Sequence, residues 1–221
     1  MRTRRPRPWA LVVCNGSAPG RAFLRTLASA AHRVVAADGG ANVCRHRGVT
    51  PDVIIGDLDS VTPETLERCA RSLLLYVDRQ DNTDLEKALE YLVANGIPEA
   101  VIVGADGERI DFTLGNLAVL WRYCGRIALT VAGEGWYAMP VRGRMTLDVP
   151  AGTTVSVVPN GRVSGLTLRG FRYNLRNATM NIGEIGVSNV VRQRHASVSV
   201  GSGSLLVIVQ HAWIPPTTPR R

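Results

Sequence analysis

Pro51 to Ser60, PDVIIGDLDS, is the stretch on which the reading of the whole chain turns. Val53, Ile54 and Ile55 make a short apolar run of the kind that forms a buried strand, and the run stops at Gly56. Two carboxylates follow, Asp57 and Asp59. In an extended backbone residues two apart project to the same side, so this pair is placed to share a cation while Leu58 turns into the protein. A solvated turn rich in Asp, Gly and Ser accounts for the same ten residues. The flanking segments decide between the two.

Before this stretch, Trp9 to Cys14 is an apolar run ending in Asn15-Gly16. Residues 20 to 31 have helical character, and Arg33 to Ala37 makes a second strand ending at Asp38-Gly39-Gly40. A short helix is expected over Ala41 to His46. After the stretch, Thr62-Pro63 is a suitable N-cap and first helical position for a helix over Pro63 to Arg71. Leu73 to Val77 is a fourth strand. Thr83 to Ala94 carries Leu85, Ala88, Leu89 and Leu92 at amphipathic spacing, with a capping box between Thr83 and Glu86. Ala100 to Val103 and Arg126 to Val131 are two further strands around a helix over Asp111 to Tyr123. Short apolar runs alternating with helices predict an α/β domain with a parallel sheet and Rossmann-like crossovers.

Helical periodicity ends near Tyr137. Six short alternating runs take its place: Met145 to Val149, Thr153 to Val158, Val163 to Leu168, Val187 to Val191, Ala196 to Val200 and Leu205 to Val209. Gly and Asn clusters separate them, which predicts a small antiparallel β-sandwich. The expected organisation is a disordered basic tail over 1–8, an α/β domain over 9–136, a β-sandwich domain over 137–211 and a disordered tail over 212–221.

The 221 residues carry a formal charge of +8, unevenly spread: residues 1–111 hold 15 of the 18 acids against 14 bases, and residues 112–221 hold 3 acids against 12 arginines. Those arginines are dispersed among few aromatics, with no recognisable nucleic-acid-binding signature, so no nucleic-acid partner is expected. No apolar run approaches the length of a membrane span, and no membrane partner is expected either. The basic start runs into WALVVC without the layout of a signal peptide. Four cysteines stand singly among apolar neighbours, without metal-ligand spacing, which fits reduced thiols in a cytoplasmic protein.

Strand C-termini in a parallel sheet share one edge, where ligands bind. Five consecutive predicted strands end in polar, acidic or glycine-rich segments, which would gather Asp38, Asp57, Asp59, Asp81, Asp84 and Asp111 into one crevice. So many carboxylates repel one another unless solvated, protonated or neutralised by metal and arginine. Hard oxygen donors suit Mg²⁺ carried with phosphates. Neither G-x-x-x-x-G-K-[ST] nor G-x-G-x-x-G is present, so the phosphate site would be built from scattered Asp, Gly and Arg.

Asp38-Gly39-Gly40-Ala41-Asn42, Gly56-Asp57-Leu58-Asp59-Ser60, Gln80-Asp81-Asn82-Thr83-Asp84, and Gly107-Glu108-Arg109-Ile110-Asp111 followed by Asn116-Leu117 resemble the ordered motifs of the thiamine pyrophosphokinase family. Gly170-Phe171-Arg172-Tyr173 and Gly186-Val187-Ser188-Asn189 resemble its β-domain signatures. The resemblance spans about residues 11–209. It implies a homodimeric enzyme that transfers the terminal diphosphate of ATP to the hydroxyl of thiamine. It also implies that Asp57, Asp59 and Asp84 hold Mg²⁺ and the phosphates, and that Asp81, Arg109 and Asp111 complete the catalytic set. Asp38, Gly39, Gly40, Gln80 and Asn116 would help bind the nucleotide, and Ser188 and Asn189 would contact thiamine in a site shared between subunits.

Glu108 stands where many members have glycine, and Phe112 where many have histidine. Two other readings remain open at this point: a Mg²⁺-dependent phosphohydrolase, since a strand followed by D-x-D also suits that chemistry, and a non-catalytic relative that binds nucleotide or thiamine diphosphate.

Overall fold

The computed structural model describes residues 8–107, 109–184 and 186–215. The expected tails lie largely outside the described residues, and so does Glu108. The chain divides into two compact units, the first running to Glu134 and the second covering Gly135–Trp213.

In the first unit six parallel strands alternate with five helices: β1 (Ala10–Val13), α1 (Arg21–Ala30), β2 (Arg33–Ala37), α2 (Gly40–Arg47), β3 (Val53–Gly56), α3 (Pro63–Arg68), β4 (Leu73–Tyr76), α4 (Asp84–Ala94), β5 (Glu99–Val103), α5 (Ile110–Tyr123) and β6 (Ala128–Gly133). The sheet order is β6-β5-β1-β2-β3-β4. From β1 the chain winds outward to β4, then returns to the other side of β1 through β5. The reversal opens a crevice at the C-terminal ends of β1 and β5. Every residue of β1 and β3 is buried, as an all-parallel sheet covered on both faces requires.

Local sequence accounts for these elements. The Thr83 hydroxyl accepts from the Glu86 N–H while the Glu86 carboxylate accepts from the Thr83 N–H, closing the expected capping box on α4. Leu85, Ala88, Leu89 and Leu92 form its buried face. Gly48, at φ 72°, ends α2 in the left-handed conformation that glycine adopts freely. Strand β4 forms where it was expected. It is an edge strand, so Leu73, Leu74 and Tyr76 are exposed although the run LLLY looks like core.

The second unit is all β. Strands β7 (Trp136–Val141), β9 (Thr154–Pro159), β12 (Asn189–Val190) and β14 (Leu205–Val209) pair antiparallel in the order β12-β9-β14-β7. Strands β8 (Arg144–Asp148), β10 (Val163–Arg169), β11 (Leu175–Met180) and β13 (His195–Ser199) form a four-stranded sheet in the order β11-β10-β13-β8. Six alternating runs were expected and eight strands are present. The WYAMPV of β7 contains Pro140, which argues against a strand in a single-sequence reading, and the LRNATM of β11 is too polar to alternate. The expected strand over Val187 to Val191 shrinks to two residues. Among the described residues no helix is long and apolar enough to cross a membrane.

Candidate active site

A cavity of about 780 Å³ lies at the β1/β5 reversal. The segment after β1 (Asn15, Gly16, Ser17) and the segment after β5 (Gly104 to Gly107) form its floor. Gly16 N–H donates to the Gly104 carbonyl, and the two loops approach so closely that a Cβ on Gly16 would meet backbone oxygen. Asp38 and Gly39 enter from the end of β2, Asp57, Asp59 and Ser60 from the end of β3, and Asp84 from the start of α4. Arg109, Phe112, Thr113 and Asn116 supply a wall from the N-terminal part of α5. Gly40 does not line the cavity. It lets α2 abut β1, for a Cβ there would overlap the Val13 carbonyl.

Carboxylate oxygens of Asp38, Asp57 and Asp59 lie within 4.8 Å of one another. The geometry that brings Asp57 and Asp59 together is not the extended backbone expected from the sequence. Leu58 has φ 62°, a left-handed conformation uncommon for a branched residue, and it is only half-buried rather than turned into the core. Asp38 has φ 43°. Ser188, in the second unit, has φ 60°. Such backbone persists where surrounding contacts over-determine it, and it concentrates at binding and catalytic sites.

Asp38 is buried, and burial raises its carboxyl pKa above the usual range, with smaller contributions from Asp84 and Asp59 against the lowering effect of Ser60 and Gly39. Its Oδ1 has no hydrogen-bond partner among the described residues. The Asp57 carboxyl is lowered on balance: burial alone would raise it, but Gln80 Nε2, the Asp59 N–H and the Lys87 charge outweigh that. Asp84 lies across Gly56 from Asp38, and its Oδ1 accepts from Lys87 Nζ at 2.9 Å. The structure thus groups Asp57 and Asp59 with Asp38, and gives Asp84 a protein partner.

Arg109 and Asp111 form a two-point ion pair, at 3.1 Å and 2.6 Å, and the guanidinium lies 4.5 Å from the Phe112 ring centroid. The pair with Arg109 holds the Asp111 carboxyl down at about 2. Arg109 lines the cavity and Asp111 does not. Asp81 also stands off the cavity wall, 79% exposed and 3.7 Å from Arg79. Gln80 reaches the site only through Asp57, at 3.3 Å. Asn116 lines the wall and donates to the Ala105 carbonyl at 2.8 Å, fixing the loop after β5.

In the second unit the Asn189 carboxamide is already occupied. Its Oδ1 accepts from the Tyr173 and Val190 N–H groups, and its Nδ2 donates to the Tyr173 carbonyl. Asn189 therefore clasps the backbone of Tyr173, whose ring is exposed. The Ser188 N–H donates to Ser156 Oγ at 3.1 Å.

The catalytic-domain model of thiamin pyrophosphokinase matches residues 24–130, and the vitamin B1 binding domain model of the same enzyme matches residues 144–205. Thiamine pyrophosphokinase 1 of Oryza sativa subsp. japonica is 31% identical over 231 residues, covering 90% of this chain and 86% of that protein. The chain belongs to the thiamine pyrophosphokinase family. Thiamine pyrophosphokinase of Bacillus subtilis (strain 168) is 27% identical over 79% of this chain and 85% of its own length. Two solved structures share the fold: thiamine pyrophosphokinase from Bacillus subtilis, with TM-score 0.81 and 23% identity over 93% of this chain and 100% of that one, and thiamin pyrophosphokinase from Candida albicans, with TM-score 0.82 and 17% identity over 93% and 89%.

As a thiamine pyrophosphokinase family member, the chain carries a cavity wall that its motifs left partly unread. Asn15, Ser17, Asp106 and Thr113 line it without belonging to the quoted motifs. Their position directly after β1 and β5, or on the first turn of α5, was the available signal. Phe112 has a visible contact where the family pattern favours histidine: its ring backs the Arg109 guanidinium.

Proposed function

We propose that this chain transfers the terminal diphosphate of ATP to the hydroxyl of thiamine, giving thiamine diphosphate and AMP. The observation that carries the reading is the meeting of three carboxylates and one cavity-lining arginine at the β1/β5 reversal in a chain of this family. Nucleophilic attack on the β-phosphorus requires in-line positioning and neutralised charge far more than covalent help from the protein.

A divalent cation fits the residues present. Asp38 Oδ1 is a buried oxygen without a hydrogen-bond partner among the described residues, and the carboxylates of Asp38, Asp57 and Asp59 are hard donors suited to Mg²⁺. These three would hold the ion, with Asp84 beside them. Mg²⁺ so bound would supply countercharge to the phosphate oxygens. Arg109, 71% exposed and backed by Phe112, is placed to exchange Asp111 for a phosphate oxygen pair, since a guanidinium matches either partner with two parallel hydrogen bonds. Gly39 and Gly107 let the cavity walls pack closely, since a Cβ would meet the Asn15 side chain at the first and the Gly16–Ser17 backbone at the second. With its proton affinity lowered by Arg109, Asp111 is a poor general base, and a loose phosphoryl-transfer transition state asks little of one.

The second unit would supply the thiamine contacts through Ser188 and the Tyr173 segment that Asn189 holds. The working assembly is a cytoplasmic homodimer with the thiamine site shared between subunits. Purified protein incubated with ATP, Mg²⁺ and thiamine tests the central reading. AMP and thiamine diphosphate formed in equal amounts support it. ADP would indicate a simple kinase, and thiamine-independent phosphate release a hydrolase; either would overturn it. Sedimentation at micromolar concentration tests the dimer, and a monomer would remove the shared site.

A further inference from the structure

Asn42 takes no part in the cavity wall, yet both the amide nitrogen and the oxygen of its side chain are engaged. Nδ2 donates to the Ser60 carbonyl at 2.7 Å, and Oδ1 accepts from the Thr62 N–H at 3.1 Å and from the Thr65 hydroxyl at 2.7 Å. Thr65 is completely buried, and its hydroxyl also lies 3.0 Å from that of Thr62. One carboxamide therefore ties the first turn of α2 to both the end of the Asp57–Ser60 loop and the first turn of α3.

The two segments joined in this way are those that carry the carboxylate cluster. Asp38 stands one residue before the Gly39 N-cap and α2, and Asp57 and Asp59 sit on the loop whose last residue Asn42 grips. Ser60 connects the grip to the charges: its hydroxyl donates to Asp59 Oδ1 at 3.0 Å and lies beside the Asp38 carboxylate. Nothing else among the described residues ties the side chain of an α2 residue to the Ser60 backbone. The loop also contains Leu58 in its left-handed conformation, which needs external contacts to persist.

We propose that Asn42 is a positioning residue that sets the distance between Asp38 and the Asp57/Asp59 pair, and so tunes the affinity of the site for a divalent cation. The inference rests on the metal reading given above. Groups that orient metal-binding carboxylates without touching the ion change affinity by roughly 10- to 100-fold when lost. A purely structural clasp between α2 and α3 would instead change thermal stability alone.

The test is Mn²⁺ titration of the full chain without nucleotide, followed by electron paramagnetic resonance, for the native protein, Asn42→Ala, Thr65→Val and Asp57→Asn. Asn42→Ala is expected to weaken Mn²⁺ binding by about 10-fold. Thr65→Val removes one of the three bonds and should shift affinity the same way by less. In turnover assays the Mn²⁺ activation constant should rise in parallel while the KM for thiamine stays unchanged. If Asn42→Ala does not fold, Thr65→Val decides by itself. Native Mn²⁺ affinity in the folded Asn42 or Thr65 variant, with affinity lost in Asp57→Asn, would reduce Asn42 to helix packing and overturn the inference. Native affinity in Asp57→Asn as well would remove the metal reading and this inference with it.

Discussion

Lys87 Nζ donates to Asp84 Oδ1 at 2.9 Å, and Lys87 is the only lysine in a chain whose other 25 Lys/Arg positions are arginine. The ammonium is 3% exposed, whereas its partner carboxylate is 34% exposed. A compact ammonium on a flexible stem fits this pocket, where a planar guanidinium would need more room. The two ends of the pair consequently differ in what their removal leaves behind.

Asp84→Ala strands a buried ammonium and should destabilise the fold by about 3 kcal/mol or more, whereas Lys87→Met leaves a carboxylate that water reaches and should cost only about 1 kcal/mol. Urea unfolding of both variants measures the difference. Equal losses would mean that the pair opens to solvent more than its burial indicates.

Gly56 separates Asp38 from Asp84. A Cβ at this position would lie 2.8 Å from Asp38 Cβ and 3.1 Å from Asp84 Oδ1, so Gly56→Ala forces the two carboxylates apart. Overpacking of this kind costs about 1 to 3 kcal/mol. Turnover should fall more than stability accounts for, because both displaced carboxylates line the cavity proposed for the phosphates. Activity retained at the temperature where the variant is fully folded would argue against that placement.

Arg109 is held at two points by Asp111 and backed by Phe112. Arg109→Lys removes the planar fork and should lower kcat/KM by about 10-fold or more with the fold intact. Phe112→Leu, which removes only the ring beneath the guanidinium, should have a smaller effect, about 3-fold, mainly in the KM for ATP. Steady-state kinetics at saturating thiamine separates the two. A larger loss from Phe112→Leu would make the ring, not the guanidinium, the more important group.

Asn189→Ala frees both the N–H and the carbonyl of Tyr173, so the segment Gly170–Tyr173 should loosen. The KM for thiamine should rise about 5- to 100-fold while that for ATP stays near native, the range that a lost hydrogen-bonded anchor produces. Parallel increases in both KM values would place the effect on the fold, not on the thiamine contacts.

Burial pushes the Cys14 and Cys44 thiols up to about 12, and raises that of Cys69 as well. A raised thiol pKa keeps the unreactive protonated form, so at pH 8 about one Cys14 or Cys44 in 10⁴ would be thiolate even before access is considered. Ellman's reagent should therefore find no more than Cys124 in the native protein, since Cys124 alone of the four is not buried. All four should react in guanidinium. Two or more fast thiols in the native state would contradict the burial.

Much of this protein was legible in short windows of sequence. The Val53–Ile55 run, the Thr83/Glu86 capping box and the spacing of Leu85, Ala88, Leu89 and Leu92 each involve residues within one strand or three helical turns. The order of motifs from Asp38 to Asn116 is equally local, and it points to the family to which the chain belongs. Strand β4 was legible as a strand, but its exposure was not, because LLLY has the same composition whether a neighbouring strand covers it or not.

The sequence by itself determined which elements form and that their acidic ends share one edge of a parallel sheet, because caps, periodicity and turn residues act over a few positions. Tertiary structure decided which carboxylates meet. Asp38 joins Asp57 and Asp59 because the left-handed backbone at Leu58 and the Asn42 clasp set distances between segments about 20 residues apart, whereas the Asp84–Lys87 pair is a local contact three residues apart on α4. Likewise Asn189 looked like a free ligand contact and is spent on Tyr173, 16 residues away. Donors and acceptors brought together by packing satisfy one another first, and that pairing depends on three-dimensional proximity that no single segment encodes.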